Sequence, residues 1–247
     1  MLNVKAGCCG FRSSRAEYVR SLPVVEVQQT FYQPPRAETL ARWRAEAPDD
    51  FEFTLKAWML ITHEARSPTY RRLKRDLDEE QRAGCGAFRP SAIVREAWEV
   101  TLRSARALGA ARLLFQCPAS FAPTAPNLKN MRRFFRSIDR AGLRLLWEPR
   151  GGWPDALVRE LCDELGLVHV VDPFAARTVT PSECYFRLHG RGGWGYRYES
   201  GELEELISLL PRGGAPSYVL FNNVGMREDA LKFQELARAA AAEDEED

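Results

Sequence analysis

Short apolar runs rich in Val, Leu and Phe recur at residues 3–7, 24–29, 51–56, 111–116, 143–148, 168–172, 184–189 and 217–222. Runs this short, set off by polar or turn-forming residues, read as buried strands. Between them the apolar positions change to helical spacing, over 38–47, 92–108, 127–138, 153–165, 202–210 and 226–239. Strand then helix, repeated, predicts parallel strands joined by crossovers. Several boundaries carry their own signals. Ser91 is placed to cap the helix after Pro90, and Pro126 and Pro154 fall near first turns, where proline loses no helical hydrogen bond. Gly142 and Gly166 are expected to close helices just before the fifth and sixth strands. The sixth connection, 173–183, is too short for a full helix, and the third, 57–90, is long.

Eight such strands in 247 residues predict an α/β fold, a (β/α)8 TIM barrel of roughly 250 residues, as a single domain over 1–240 with a long insertion between the third strand and its helix. The acidic end, 241–247, is expected to be a disordered tail. An open doubly wound sheet is the alternative, but it calls for a glycine-rich phosphate loop after the first strand, and Gly7-Cys8-Cys9-Gly10 is a poor match.

A parallel barrel buries both faces of its strands and opens its pocket at their C-terminal ends, so polar groups concentrate there. This chain does so repeatedly. The second strand ends Glu26-Val27-Gln28-Gln29, the third in Lys56, the fourth in Gln116-Cys117 and the fifth in Glu148-Pro149-Arg150. The sixth ends in Asp172, the seventh carries Arg187 and His189, and the eighth ends in Asn222-Asn223. One such residue is explained by wet loops. Seven strands delivering carboxylates, amides and cations to one rim require mutual pairing or a ligand. Strand alternation places Glu26, Lys56, Glu148 and the Arg187/His189 pair on inward-facing positions, and turns His169 toward the helices as a packed histidine.

Taken in order, Glu26-Val27-Gln28-Gln29-Thr30-Phe31-Tyr32, Phe53-Thr54-Leu55-Lys56-Ala57, Ile61-Thr62-His63, Gln116-Cys117-Pro118-Ala119-Ser120-Phe121, Glu148-Pro149-Arg150, Arg187-Leu188-His189-Gly190 and Phe221-Asn222-Asn223 resemble the YecE-like family. The resemblance runs over nearly the whole chain and implies a TIM-barrel domain of uncharacterised function, with no activity to carry over. Two departures stand out. The family's usual Gly-Thr-Ser-Gly-Trp-like turn is here Gly7-Cys8-Cys9-Gly10-Phe11, and its Glu-Phe-Arg is Glu148-Pro149-Arg150.

The candidate catalytic residues are Glu26, Lys56, Glu148 and His189. Two carboxylates in different surroundings can divide into acid and base, a lysine beside them can hold one ionised or act as base, and histidine is suited to proton transfer near neutrality. Arg150 and Arg187 suit carboxylate or phosphate, and Gln116, Asp172, Asn222 and Asn223 suit hydroxyls or amides. Tyr32 and Trp194 offer stacking surfaces, the latter within a glycine-rich flap at 190–196. The competing reading of the ring is a salt-bridged network that knits the barrel top.

No cofactor is assigned. A single divalent ion held by His63, His189, Glu26, Glu148 and Asp172, or a metal on thiolates of Cys8, Cys9, Cys85 and Cys117, is conceivable but not favoured. Three histidines are too few for a multinuclear barrel nuclease site, and no Cys-x-x-Cys pair is present. The expected function is acid–base chemistry on a small polar or anionic substrate, sugar-like or nucleotide-like, by a hydrolase, lyase or isomerase. The alternative is nucleic-acid binding through the basic insertion 66–90, where seven bases face four acids, together with rim aromatics. A net charge of +1 gives no global field for that. No run suits a membrane span and no signal peptide is evident, so a cytoplasmic protein with reduced cysteines is expected. The sequence leaves the oligomeric state open.

Overall fold

The computed structural model of the chain describes residues 1–246. Its elements, in order, are β1 (Val4–Cys8), α1 (Arg15–Ser21), β2 (Val24–Val27), α2 (Gln29–Tyr32), α3 (Ala37–Ala45), β3 (Glu52–Lys56), α4 (Met59–Thr62), a 3-10 turn (Pro68–Arg72), α5 (Glu79–Gly84), α6 (Ala92–Leu108), β4 (Arg112–Gln116), α7 (Ala125–Ser137), β5 (Arg144–Glu148), α8 (Asp155–Leu165), β6 (Val168–Val171), β7 (Tyr185–Leu188), α9 (Ser200–Ser208), β8 (Ser217–Phe221) and α10 (Met226–Glu246). The strands run in chain order around a closed barrel, with parallel pairing between β1 and β2, β3 and β4, β4 and β5, β6 and β7, β7 and β8, and β8 and β1. By internal contacts the chain forms two compact units. One comprises Met1–Glu26, Ala47–Glu52 and the chain from Val168 onward; the other comprises Val27–Glu46 and Phe53–Leu167.

In the first unit, Tyr18 ties α1 to the strands. Its hydroxyl accepts from the Cys8 amide at 2.8 Å and donates to the Val24 carbonyl at 2.9 Å. β1 and β2 approach so closely that a Cβ on Gly7 would lie 2.1 Å from the Val24 oxygen, so only glycine fits there. In the second unit, Phe88, Trp98, Phe115, Phe121, Phe134 and Phe135 form one aromatic cluster over β4, the kind of large buried area that dominates core energetics.

The long β3–α6 connection is built on an unusual turn. Gly86, Ala87 and Phe88 all have left-handed φ, at 76°, 50° and 52°, although Phe88 is buried. Left-handed backbone costs a non-glycine residue on the order of 1 kcal/mol, and here it has a use. The three amides donate to the carbonyls of Leu60, Thr62 and Ile61, while the His63 amide takes that of Met59. Every carbonyl of the four-residue α4 is thereby satisfied, which an isolated turn cannot achieve for itself.

Two expectations change. Gly166 caps α8 in left-handed conformation, and Ser91 caps α6 through the Val94 amide, but α7 already ends at Ser137 with an extended C-cap at Ile138. Gly142 instead serves the turn into β5, beside Ala141 at φ 47°. The segment expected as a disordered tail from residue 241 is helical through Glu246, continuing α10 from the alanine run 239–242, alanine being the best helix former. Asp244 is held there by Arg212 at 2.6 Å; Asp247 lies outside the described residues. The short helices α1, α2, α4 and α5 escape sequence reading because four to seven residues carry too little periodicity to register. Among the described residues no helix is long and apolar enough to cross a membrane.

Candidate functional site

The first unit gathers its polar strand-end residues into two linked layers. The deeper layer is an ion pair between Glu26, fully buried at the end of β2, and Arg187 of β7, 1% exposed. Arg187 donates to Glu26 Oε1 at 2.9 Å, and the Tyr185 hydroxyl donates to Oε2 at 2.9 Å. Tyr185 and Arg187 are two residues apart, so strand alternation sends both to the same face. Because β2 and β7 are not neighbours in the barrel order, that face is the interior. Both carboxylate oxygens of Glu26 are thus engaged away from solvent, on the inward face expected from strand alternation, and they hold the Arg187 guanidinium.

The outer layer is Asp172 and His189, which follow β6 and β7. Asp172 Oδ2 accepts from the His189 amide at 2.9 Å and lies 3.8 Å from His189 Nδ1, while Oδ1 accepts from the Phe174 amide at 3.1 Å. Burial would raise the Asp172 carboxyl, but these bonds from His189 and Phe174 outweigh it and hold the group below its ordinary range. The His189 side chain keeps 27% of its surface exposed.

Beyond His189 the chain forms a loop, 190–198, whose backbone is pinned at several points. The Gly190 amide donates to the Tyr198 hydroxyl at 2.9 Å, the Tyr196 hydroxyl donates to Glu202 at 2.6 Å, and Arg191 bonds Glu202 and Glu205 while stacking on Phe174. Asn223 closes the set. Its Nδ2 donates to the Tyr196 carbonyl at 2.8 Å and to Asp229 at 2.6 Å. Fully buried, Asn223 therefore fastens the loop to the start of α10 through Nδ2. Asn222 is half-buried, its backbone amide donating to the Leu188 carbonyl.

The second unit carries the other half of the expected set. Lys56 donates to Gln116 Oε1, and its ammonium lies 3.6 Å from the centre of the Phe31 ring. Arg150, 40% exposed, donates to Glu148 Oε1 at 2.7 Å. Register sets Gln116 opposite Glu148 on β4 and β5. His63, set by the α4 turn, has Nδ1 2.8 Å from the Thr62 hydroxyl and its carbonyl bonded by Tyr70. Burial first, and the nearby Lys56 charge second, push His63 down to about 3, so the ring is neutral. Tyr32 is covered by the Arg72 guanidinium at 3.6 Å, so the insertion caps this aromatic. Of the insertion's bases, Arg66, Arg75 and Arg89 are ion-paired to Glu64 or Glu96.

His169 is packed as expected, its Nδ1 accepting from the Val179 amide. All six cysteines are free buried thiols, and desolvation pushes Cys8 and Cys117 up to about 12. Cys8 sits deep, its sulfur on the Met226 carbonyl at 3.3 Å, rather than at an open rim. Sequence reading missed Tyr185, hidden in an apolar run although its parity with Arg187 gave the clue. It also missed Asp229 and the 86–88 turn, which carry no local signal.

Fold and site together define a (β/α)8 barrel with polar groups at the C-terminal ends of its strands. The sequence profile of the family described as "Protein of unknown function DUF72" matches residues 10–246, and the chain belongs to that family. It is 40% identical over 53 residues to the UPF0759 protein YecE of Escherichia coli K12, a stretch covering 22% of this chain and 20% of YecE. A DUF72 family protein of Enterococcus faecalis V583 superposes with a TM-score of 0.69 at 21% identity, over 96% of both chains. One from Thermotoga maritima gives 0.67 at 21% identity, over 96% of this chain and 99% of that one. A xylose isomerase domain containing protein of Salmonella typhimurium gives 0.57 at 14% identity, over 98% of both chains, a likeness of fold.

Proposed function

We propose that the protein is an enzyme that moves protons on a small polar, anionic substrate, with His189 as the acid–base group. The observation that carries this reading is the Asp172–His189 arrangement. A carboxylate held ionised by two backbone amide bonds and the neighbouring histidine fixes the backbone of His189 and sits 3.8 Å from its Nδ1, while the ring retains contact with solvent. An oriented imidazole beside a carboxylate can take a proton at its other nitrogen and return it, the carboxylate stabilising the imidazolium formed in between. Glu26, Tyr185 and Arg187 form the rigid floor beneath β7 that this geometry needs, because positioning errors of an ångström are costly in proton transfer.

The test is nuclear magnetic resonance of a panel of pentose and hexose monophosphates and their free sugars in deuterated water with the purified protein. Isomerisation, cleavage or solvent deuterium incorporation is expected for at least one compound. His189→Asn should slow it on the order of a hundredfold or more, in line with general acid–base contributions, with Asp172→Asn in between. Turnover of none of the panel by the wild type, or equal rates for wild type and H189N, overturns the reading.

A further inference from the structure

Among the described residues three large apolar side chains are exposed, namely Met1, Leu209 and Trp194. Met1 is the first residue, and Leu209 lies after α9 on the way into β8. Trp194 alone follows the C-terminal end of a strand, five residues beyond His189, and it is 56% exposed. The backbone beneath it is fixed: the Trp194 carbonyl accepts from the Val224 amide at 2.7 Å, next to the Asn223–Tyr196 bond. An indole left in water on an ordered loop is a preorganised contact surface, since binding to it orders little further chain.

The glycines beside it point the same way. Gly193 needs its left-handed φ of 97°. Gly195 does not have a left-handed φ, and apart from its two chain neighbours a Cβ built on it meets nothing within 4 Å. Neither conformation nor packing calls for glycine there, so its effect is to keep the volume next to the indole clear. On the indole itself rests Arg12, exposed in the β1–α1 loop, with its guanidinium carbon 5.7 Å from the ring centre. A flat apolar face with a cation over it, on the loop that leads on from the histidine, matches a ring that carries an anion. The C–H face of a sugar ring covers the indole, and the guanidinium takes phosphate through paired N–H donors.

We propose that Trp194 and Arg12 form a subsite for a cyclic sugar phosphate, with Gly195 holding its space open. This names the substrate class for the acid–base function above and rests on that reading.

The test is calorimetric titration of ribose 5-phosphate, fructose 6-phosphate, glucose 6-phosphate, free glucose, adenosine monophosphate and inorganic phosphate into wild type, W194A, R12Q, G195L and H189N, each checked by melting temperature. At least one sugar phosphate should bind. W194A and G195L should weaken it about tenfold, the second without a change in melting temperature. R12Q should weaken sugar phosphates and spare free sugar, and H189N should bind nearly as wild type. The proposal is overturned if none of the sugar phosphates binds, if W194A or G195L binds them as wild type does, if the nucleotide binds in their place, or if inorganic phosphate binds equally well. Loss of binding in W194A together with wild-type turnover by H189N would instead remove the acid–base reading and leave the subsite standing.

Discussion

The two compact units each hold a buried glutamate against an arginine, but they close off the arginine to different degrees. In the unit containing β1, β2 and β6–β8, the Glu26–Arg187 pair is closed off from solvent and capped by a tyrosine hydroxyl. In the unit containing β3–β5, Glu148 is buried but its partner Arg150 is 40% exposed, and the fully interior histidine is neutral. In the first, both members of the pair are closed off and a hydroxyl completes the set; in the second, Glu148 is buried against an arginine that reaches water, and Lys56 is buried against the Gln116 amide and the Phe31 ring. Removing a partner should therefore hurt very differently in the two.

Glu26→Gln leaves the Arg187 guanidinium buried without its counter-charge and should cost about 3–5 kcal/mol in urea unfolding. The double variant with Arg187→Met should recover part of that loss. A cost below about 1 kcal/mol for E26Q would erase the contrast.

His63 gives the next effect. Its folded value of about 3 lies below the 6.5 of the free side chain, so between these limits the unfolded chain binds the proton and the folded one does not. Stability is full above pH 6.5 and falls as the pH drops toward 3, by about 2 kcal/mol at pH 5. His63→Gln should flatten that limb relative to wild type, and identical acid limbs in the two proteins would show the ring accepting charge in the fold.

Glu148→Gln should cost least, about 1 kcal/mol, because Arg150 can turn to water when its partner goes. A loss as large as that of E26Q would mean that the second unit traps charge as the first does.

The barrel was legible because buried parallel strands write themselves as apolar runs with polar ends, and all eight runs overlap strands. Position along a strand also told which residues gather at its end, and parity alone set Arg187 on the interior face. Parity does not tell which gathered residue meets which. Glu26 has a carboxylate like that of Glu148, yet one is locked beneath Tyr185 and the other reaches an exposed arginine. Nothing in the sequence around Asn223 tells that its Nδ2 meets Asp229, six residues on. Partners are fixed by three-dimensional packing, and the Gly86–Phe88 turn, whose amides serve carbonyls some 25 residues earlier, leaves no pattern to read.

That turn has a consequence for how the chain tolerates change. With α4 fastened at Leu60, Ile61 and Thr62 by residues 86–88, the stretch from Glu64 to Cys85 is a loop closed at its base by three hydrogen bonds. Doubling the length of such a loop costs only about 0.6 kcal/mol in closure entropy. The exposed part of the stretch can therefore change in length or charge while its base holds α4, provided Tyr70 keeps its bond to the His63 carbonyl and Arg72 its place on Tyr32; new binding surface can be grafted between those fixed points.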